Sequence, residues 1–182
     1  MSEIAERFRK LAAQFTERVE AVPDGAWDNP SPCEGWVARD VVRHLVEWIP
    51  GYFVGTWGIS FPKGPSVEDD PVGGWAVVRA AIQAALDDPE TARRAVEGPM
   101  GGSTIEQTVD MICTADVLVH TWDLARATGL DETLDADEVH RMVETMEPFD
   151  EMMRGEHFGP RVAVPHDADD QTKLIAFMGR TP

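Results

Sequence analysis

Apolar residues recur along the chain at spacings of three and four, the mark of helices that bury one face. No run of alternating apolar and polar residues is long enough to build a sheet. The pattern predicts an all-α protein. A first helix is expected over residues 3 to 21, with Ile4, Phe8, Leu11, Ala12, Phe15 and Val19 on one face and a stop at Pro23-Asp24-Gly25. A second starts near Val37 and carries Val37, Val41, His44, Leu45, Trp48 and Tyr52 on its stripe, and Pro50 with Gly51 is expected to end or kink it. A third runs from about 74 to 87, with Trp75, Val78, Ile82 and Leu86 inward. Residues 55 to 74 form a Gly/Pro-rich connection, of the kind that makes a lid or rim over a site.

The fourth helix has the clearest start, because Ser103-Thr104-Ile105-Glu106 fits a capping box, and it ends at Gly129. A fifth helix over about 136 to 147, capped by Asp135, an extended piece from Arg161 to Pro165, and a short helix over about 169 to 178 follow. Four long helices with a short C-terminal helical appendage predict a four-helix bundle, in one domain spanning 1–182.

Chemistry enters on the fourth helix. At about 100° per residue, Ile105, Val109, Ile112, Asp116, Val119, His120, Asp123 and Ala127 fall on one stripe, with both carboxylates at its centre. A buried carboxylate must take a proton, accept hydrogen bonds from a fixed donor, or bind a cation. Asp116 and His120, four apart, point the same way from successive turns, as a helix does when it offers two ligands to one metal. His44 is the only other histidine on a core stripe. Two imidazoles and a carboxylate suit Zn²⁺ with an open fourth position, or octahedral Fe²⁺ or Ni²⁺. Asp123 is either a further ligand or the partner that holds an imidazole N–H; pairing with Arg126 or Arg79 is its structural alternative.

Other features are weaker. His140, His157 and His166 read as solvated, and Met142, Met146, Met152 and Met153 as core or cleft lining. Gly98 to Gly102 could receive an anion ahead of a helix start. Neither a P-loop nor a dinucleotide fingerprint is present.

The net charge of −17 disfavours nucleic acid and anionic membranes as partners. The N-terminus reads as an amphipathic helix rather than a signal peptide, and two cysteines without CxxC spacing fit a reducing, cytoplasmic compartment. Of these, Cys113 lies one turn before Asp116.

The segments PSPCEGWVARDVVRHLVEW, ADVLVHTWDLARATGL and FGPRVAVPHDADDQTKLIAFMGR resemble actinobacterial metal-binding proteins of the DinB/YfiT-like superfamily, related to the N-terminal domain of mycothiol-dependent maleylpyruvate isomerase. The resemblance covers nearly the whole chain. It implies a four-helix bundle holding a divalent cation through His44, Asp116 and His120, and activation of a low-molecular-weight thiol such as mycothiol for transfer to, or isomerisation of, a small electrophile. A non-catalytic metal- or ligand-binding bundle is the other function it allows, and a homodimer is a possible assembly. The family pattern has Thr where this chain has Val37, and the isomerase has a longer Glu where this chain has Asp116. The isomerase also has a further C-terminal domain that helps to form its active site, so the resemblance carries thiol chemistry rather than that one isomerisation.

Overall fold

Helix α1 (Glu3–Ala21) begins where Ser2 Oγ accepts the Ala5 N–H at 3.2 Å, and Glu3 and Glu6 in its first turn suit the positive end of the helix dipole. Its buried face is Ala5, Phe8, Leu11, Ala12, Phe15 and Val19. Helix α2 (Ala38–Tyr52) follows a loop, and Pro50 lies inside it rather than ending it. Proline fixes φ at a helical value, and the burial of Phe53 and Trp57 carries the chain on through a π-helical turn, Phe53–Trp57, to Gly58 at φ +65°. Helix α3 (Pro71–Asp87) is capped by Asp70, whose carboxylate accepts the Gly73 N–H at 2.8 Å. A single turn, α4 (Pro89–Ala92), comes next.

The computed structural model describes residues 2–98, 101–154 and 159–182. Within them lies a small hairpin that periodicity did not reveal: β1 (Ala95–Gly98) pairs antiparallel with β2 (Gly101–Thr104), from Ala95 opposite Thr104 to Gly98 opposite Gly101. Four-residue strands, one of them starting Gly-Gly, show no alternation to detect. Most of the glycine stretch expected to receive an anion is thus hairpin, while Pro99 and Met100 lie outside the described residues.

Helix α5 (Ile105–Thr108), a π-helical turn (Val109–Thr114) and α6 (Ala115–Thr128) form one continuous helical run. Its capping box is one residue later than expected. Thr104 Oγ1 accepts the Gln107 N–H at 3.3 Å and Gln107 Oε1 accepts the Thr104 N–H at 3.1 Å. Ser103 is taken up in the hairpin, opposite Val96, so the T-x-x-Q pattern caps the helix.

The chain divides into two compact units, Met1–Asp131 and Glu132–Pro182. In the first, α1 packs against α3 and α6, and α2 packs against the same two, giving an all-α bundle. The Phe15 and Trp75 rings meet edge to face at 4.9 Å, and the Trp75 indole N–H donates to Thr16 Oγ1 at 2.9 Å. Burial of each such ring stabilises by about 1.5–3 kcal/mol. The connection after Gly58 is a strap. Ile59 and Phe61 pack on the core, Val67 is buried, and Arg39 of α2 donates to the carbonyls of Val67 (3.2 Å) and Glu68 (3.3 Å).

The second unit holds α7 (Ala136–Met146), α8 (Asp150–Met153) and α9 (Asp170–Phe177), with α7 packed on α9. Asp135 caps α7 through the Glu138 N–H at 3.2 Å. Gln171 on α9 clamps the entry to α7, accepting from Leu134 N–H at 2.9 Å and donating to the Glu132 carbonyl at 3.0 Å. Arg161 to Pro165 is irregular, tied to α9 by the Val162 N–H to the Ala176 carbonyl at 2.9 Å. His140 is exposed but held, 2.7 Å from Asp170 Oδ2, and that carboxylate together with Glu144 raises its imidazole pKa. His166 is exposed, Met142 is buried and Met146 half-buried, while His157 and the side chains of Met152 and Met153 lie outside the described residues. Among the described residues no helix is long and apolar enough to cross a membrane.

Candidate metal centre

The π-helical turn decides which residues of the long helical run face inward. Its hydrogen bonds span five residues rather than four, so residues four apart stay in line, and Ile105, Val109, Cys113 and Val117 form the buried edge. Ile112, expected on that edge, is only half-buried, and Asp116 sits at the rim rather than the centre of the stripe. Asp123, by contrast, has no exposure at all.

At that rim three predicted residues meet. His44 Nε2 of α2 lies 3.1 Å from Asp116 Oδ2, and His120 Nε2 lies 3.3 Å from Asp116 Oδ1. Donor atoms of His44, Asp116 and His120 all lie within 4.8 Å of one another. Neighbouring vertices of a tetrahedron with bonds of about 2.0–2.1 Å are separated by about 3.3 Å, and each imidazole lies near that separation from the carboxylate, His44 from Oδ2 and His120 from Oδ1. His44 and Asp116 side chains keep 31% and 28% of their exposure, whereas His120 keeps 5%. The cluster is therefore closed behind His120 and open on the side of the other two.

Behind His120 stands Asp123. Its Oδ2 lies 2.8 Å from His120 Nδ1, an arrangement that orients the ring and turns Nε2 toward Asp116. Arg126, an expected alternative partner for Asp123, has its guanidinium over the Trp122 ring at 4.5 Å.

Side chains that sequence reasoning left out complete the surround. Trp48, one turn after His44 on the same stripe, donates its indole N–H to Asp116 Oδ2 at 2.9 Å. The Trp36 ring stacks on His120 at 6.0 Å and leans on His44 at 5.1 Å, so an indole covers both imidazoles. Cys33 donates its thiol to Asp123 Oδ2 at 3.5 Å. Trp36 and Cys33 arrive there because residues 33–36 make a tight turn: the Trp36 N–H donates to the Cys33 carbonyl at 3.0 Å, the Ser31 N–H to the Trp36 carbonyl at 2.9 Å, and Gly35 takes φ +77°. Any other residue at 35 would be strained. Asn29 anchors the loop, donating to the Ala127 carbonyl of α6 at 3.1 Å. The C-x-G-W spacing was the available signal for this turn.

Electrostatics follow from the packing. Burial alone would raise the Asp116 carboxyl, but the imidazoles of His120 and His44 outweigh it and hold the group well below the usual carboxylate range. Burial alone would lower His120, yet Asp116, with Asp123 behind it, raises the imidazole well above its ordinary value. Burial pushes the Cys113 thiol well up, with the Asp116 charge adding to it, so Cys113 behaves as an inert core residue.

Comparison with known proteins agrees with the motifs. The family model described as the mycothiol maleylpyruvate isomerase N-terminal domain matches residues 8–52, the segment that carries Cys33, Trp36, His44 and Trp48. Two uncharacterized proteins of Mycobacterium tuberculosis, from strains CDC 1551 / Oshkosh and ATCC 25618 / H37Rv, are each 29% identical over 155 residues, covering 84% of this chain and 84% of the relative. No solved structure matches significantly. The chain is thus similar to the isomerase's N-terminal domain over its first two helices, and the bundle suits a DinB-like fold.

Proposed function

We propose that this chain is a divalent-cation protein whose centre, His44, Asp116 and His120, holds one ion and leaves a coordination position open for a small thiol. The thiol, mycothiol-like in class, is held as thiolate for transfer to, or isomerisation of, a small electrophile. The observation that carries this reading is the meeting of two imidazoles and a carboxylate from two helices within 4.8 Å, with one imidazole already held from behind by a buried carboxylate. The donor set suits Zn²⁺, with Ni²⁺ or Fe²⁺ as alternatives.

When bound, the ion supplies a Lewis acid that lowers the pKa of a thiol placed beside it. The chain's own residues do the rest. Asp123 holds the Nδ1–H of His120, so that Nε2 offers its lone pair outward. Trp48 donates to Asp116 and fixes the carboxylate's orientation. Trp36 covers the imidazole faces and limits water there, while the part-exposed side of His44 and Asp116 is where a thiol has access.

Metal analysis of protein purified without a histidine tag tests the reading. One divalent ion per chain is expected, lost in His44→Ala and in His120→Ala, and adding thiol should change the visible spectrum of the Co²⁺ form. Absence of metal from the untagged protein, even after incubation with Zn²⁺, would overturn it. A Co²⁺ spectrum unmoved by thiol would leave a metal-binding protein that does not activate thiols.

A further inference from the structure

His120 is flanked by a carboxylate on each ring nitrogen: Asp116 on Nε2 at 3.3 Å and Asp123 on Nδ1 at 2.8 Å. An imidazole with one proton can donate to either carboxylate and present its lone pair on the opposite side. With the proton on Nδ1, toward Asp123, the lone pair faces His44 and Asp116. With the proton on Nε2, toward Asp116, the lone pair faces inward, where the nearest donors are Cys33 Sγ and Asp123. The ligand atoms of Cys33, His120 and Asp123 also all lie within 4.8 Å of one another.

The two faces differ in chemistry. The outer set is two imidazole nitrogens and an oxygen; the inner one adds sulfur, the donor that selects soft ions. The inner set also has two members already sequestered from water, Asp123 with no exposure and His120 with 4%, and a cysteine half-buried at its mouth. A cation entering there meets little competition from solvent for its charge.

We propose that Cys33, His120 Nδ1 and Asp123 form a second cation position, selective for thiophilic ions such as Cd²⁺ and exclusive with the outer one. Binding displaces the Cys33 thiol proton and the Nδ1 proton of His120, because thiolate and a free ring lone pair are the ligand forms, and leaves one ring proton on Nε2, where Asp116 accepts it. Exclusion follows from the single ring: filling both positions would require His120 to give up both ring protons. One chain therefore takes one ion, and the softness of that ion decides which side of His120 it occupies. The inner position uses neither His44 nor Asp116 as ligand and stands whether or not the outer centre handles thiols.

Titrating the metal-free full chain with Cd²⁺ and following cadmium–thiolate charge-transfer absorption tests this. One Cd²⁺ per chain is expected, with the band present in wild type, His44→Ala and Cys113→Ser and lost in both Cys33→Ser and Cys33→Ala. The result that overturns the proposal is wild type without the band, a band that survives loss of Cys33, loss of the band in His44→Ala, or Cd²⁺ and Zn²⁺ bound together at two ions per chain. Failure of the outer centre reads differently: Zn²⁺ content unchanged in His44→Ala sinks that reading while the Cd²⁺ band is unaffected.

Discussion

A carboxylate with no solvent exposure, Asp123, accepts from an imidazole at 2.8 Å and from a thiol at 3.5 Å. Charges are not buried without such partners, since an unpaired one costs several kcal/mol. On a cation in the proposed outer centre its influence is indirect, exerted through the orientation and basicity of His120. Removing comparable partners in metal sites costs about 10–100-fold in affinity. Asp123→Asn keeps the shape and removes the charge, so Zn²⁺ affinity measured by competition with a chelating dye should fall by about that factor, with stoichiometry unchanged. Unaltered affinity would mean that Asp123 serves only the packing. Helix periodicity made Asp116, His120 and Asp123 visible as residues, and the depth of each was what it misjudged. It treated both acids alike, whereas one lies at the rim with 28% of its side chain exposed and the other is sealed.

The starts of α7 and α9 were readable because caps are local chemistry, whereas α3 begins at Pro71, three residues before the expected 74, inside the segment expected to be a connection. Asp135 and Asp169 cap α7 and α9 through backbone amides three residues on, as short polar side chains ahead of apolar runs do. The start of α2 is the exception. Val37 occupies its cap position in extended conformation without a side-chain acceptor; Asp40 reaches back to accept the Val37 N–H at 2.9 Å, and the Asn29 carbonyl accepts the Ala38 N–H at 2.9 Å. Val37→Thr supplies the missing oxygen and should stabilise by about 1 kcal/mol, raising the thermal midpoint by roughly 2–4 °C in a chain of this size. Thermal unfolding followed by circular dichroism measures this, and an unchanged or lowered midpoint would count against the capping account. The π-helical turns and the hairpin escaped the same reading. A π turn has no residue signature of its own, being set by what the neighbouring helices require, and the hairpin is four residues to a side.

On the scale of the molecule, 33 acidic residues face 16 basic ones. The basic side chains are largely committed to nearby carboxylates, as in Arg9, which pairs with Glu6 and with Asp87, each at 2.8 Å. Exposed pairs of this kind each contribute only about 0–1 kcal/mol, while the surplus acids repel one another over the whole surface. Repulsion between distant charges is screened more than contact between paired ones, because the Debye length shrinks from about 30 Å at 0.01 M salt to about 8 Å at 0.15 M. The thermal midpoint should therefore rise on adding NaCl over that range, and a fall would show that the ion pairs dominate. The amino-acid sequence by itself determined the long helices, the apolar faces of α1 and α3 and the sign of the surface, because these depend on spacing and composition that each segment carries alone. Only the tertiary structure decided that Cys33 and Trp36 belong beside His120 and Trp48 beside Asp116, and that Asp116 is open while Asp123 is closed. Those relations join a turn, α2 and α6 across up to 90 residues of chain, and distances between side chains so far apart are fixed by packing rather than by any local preference.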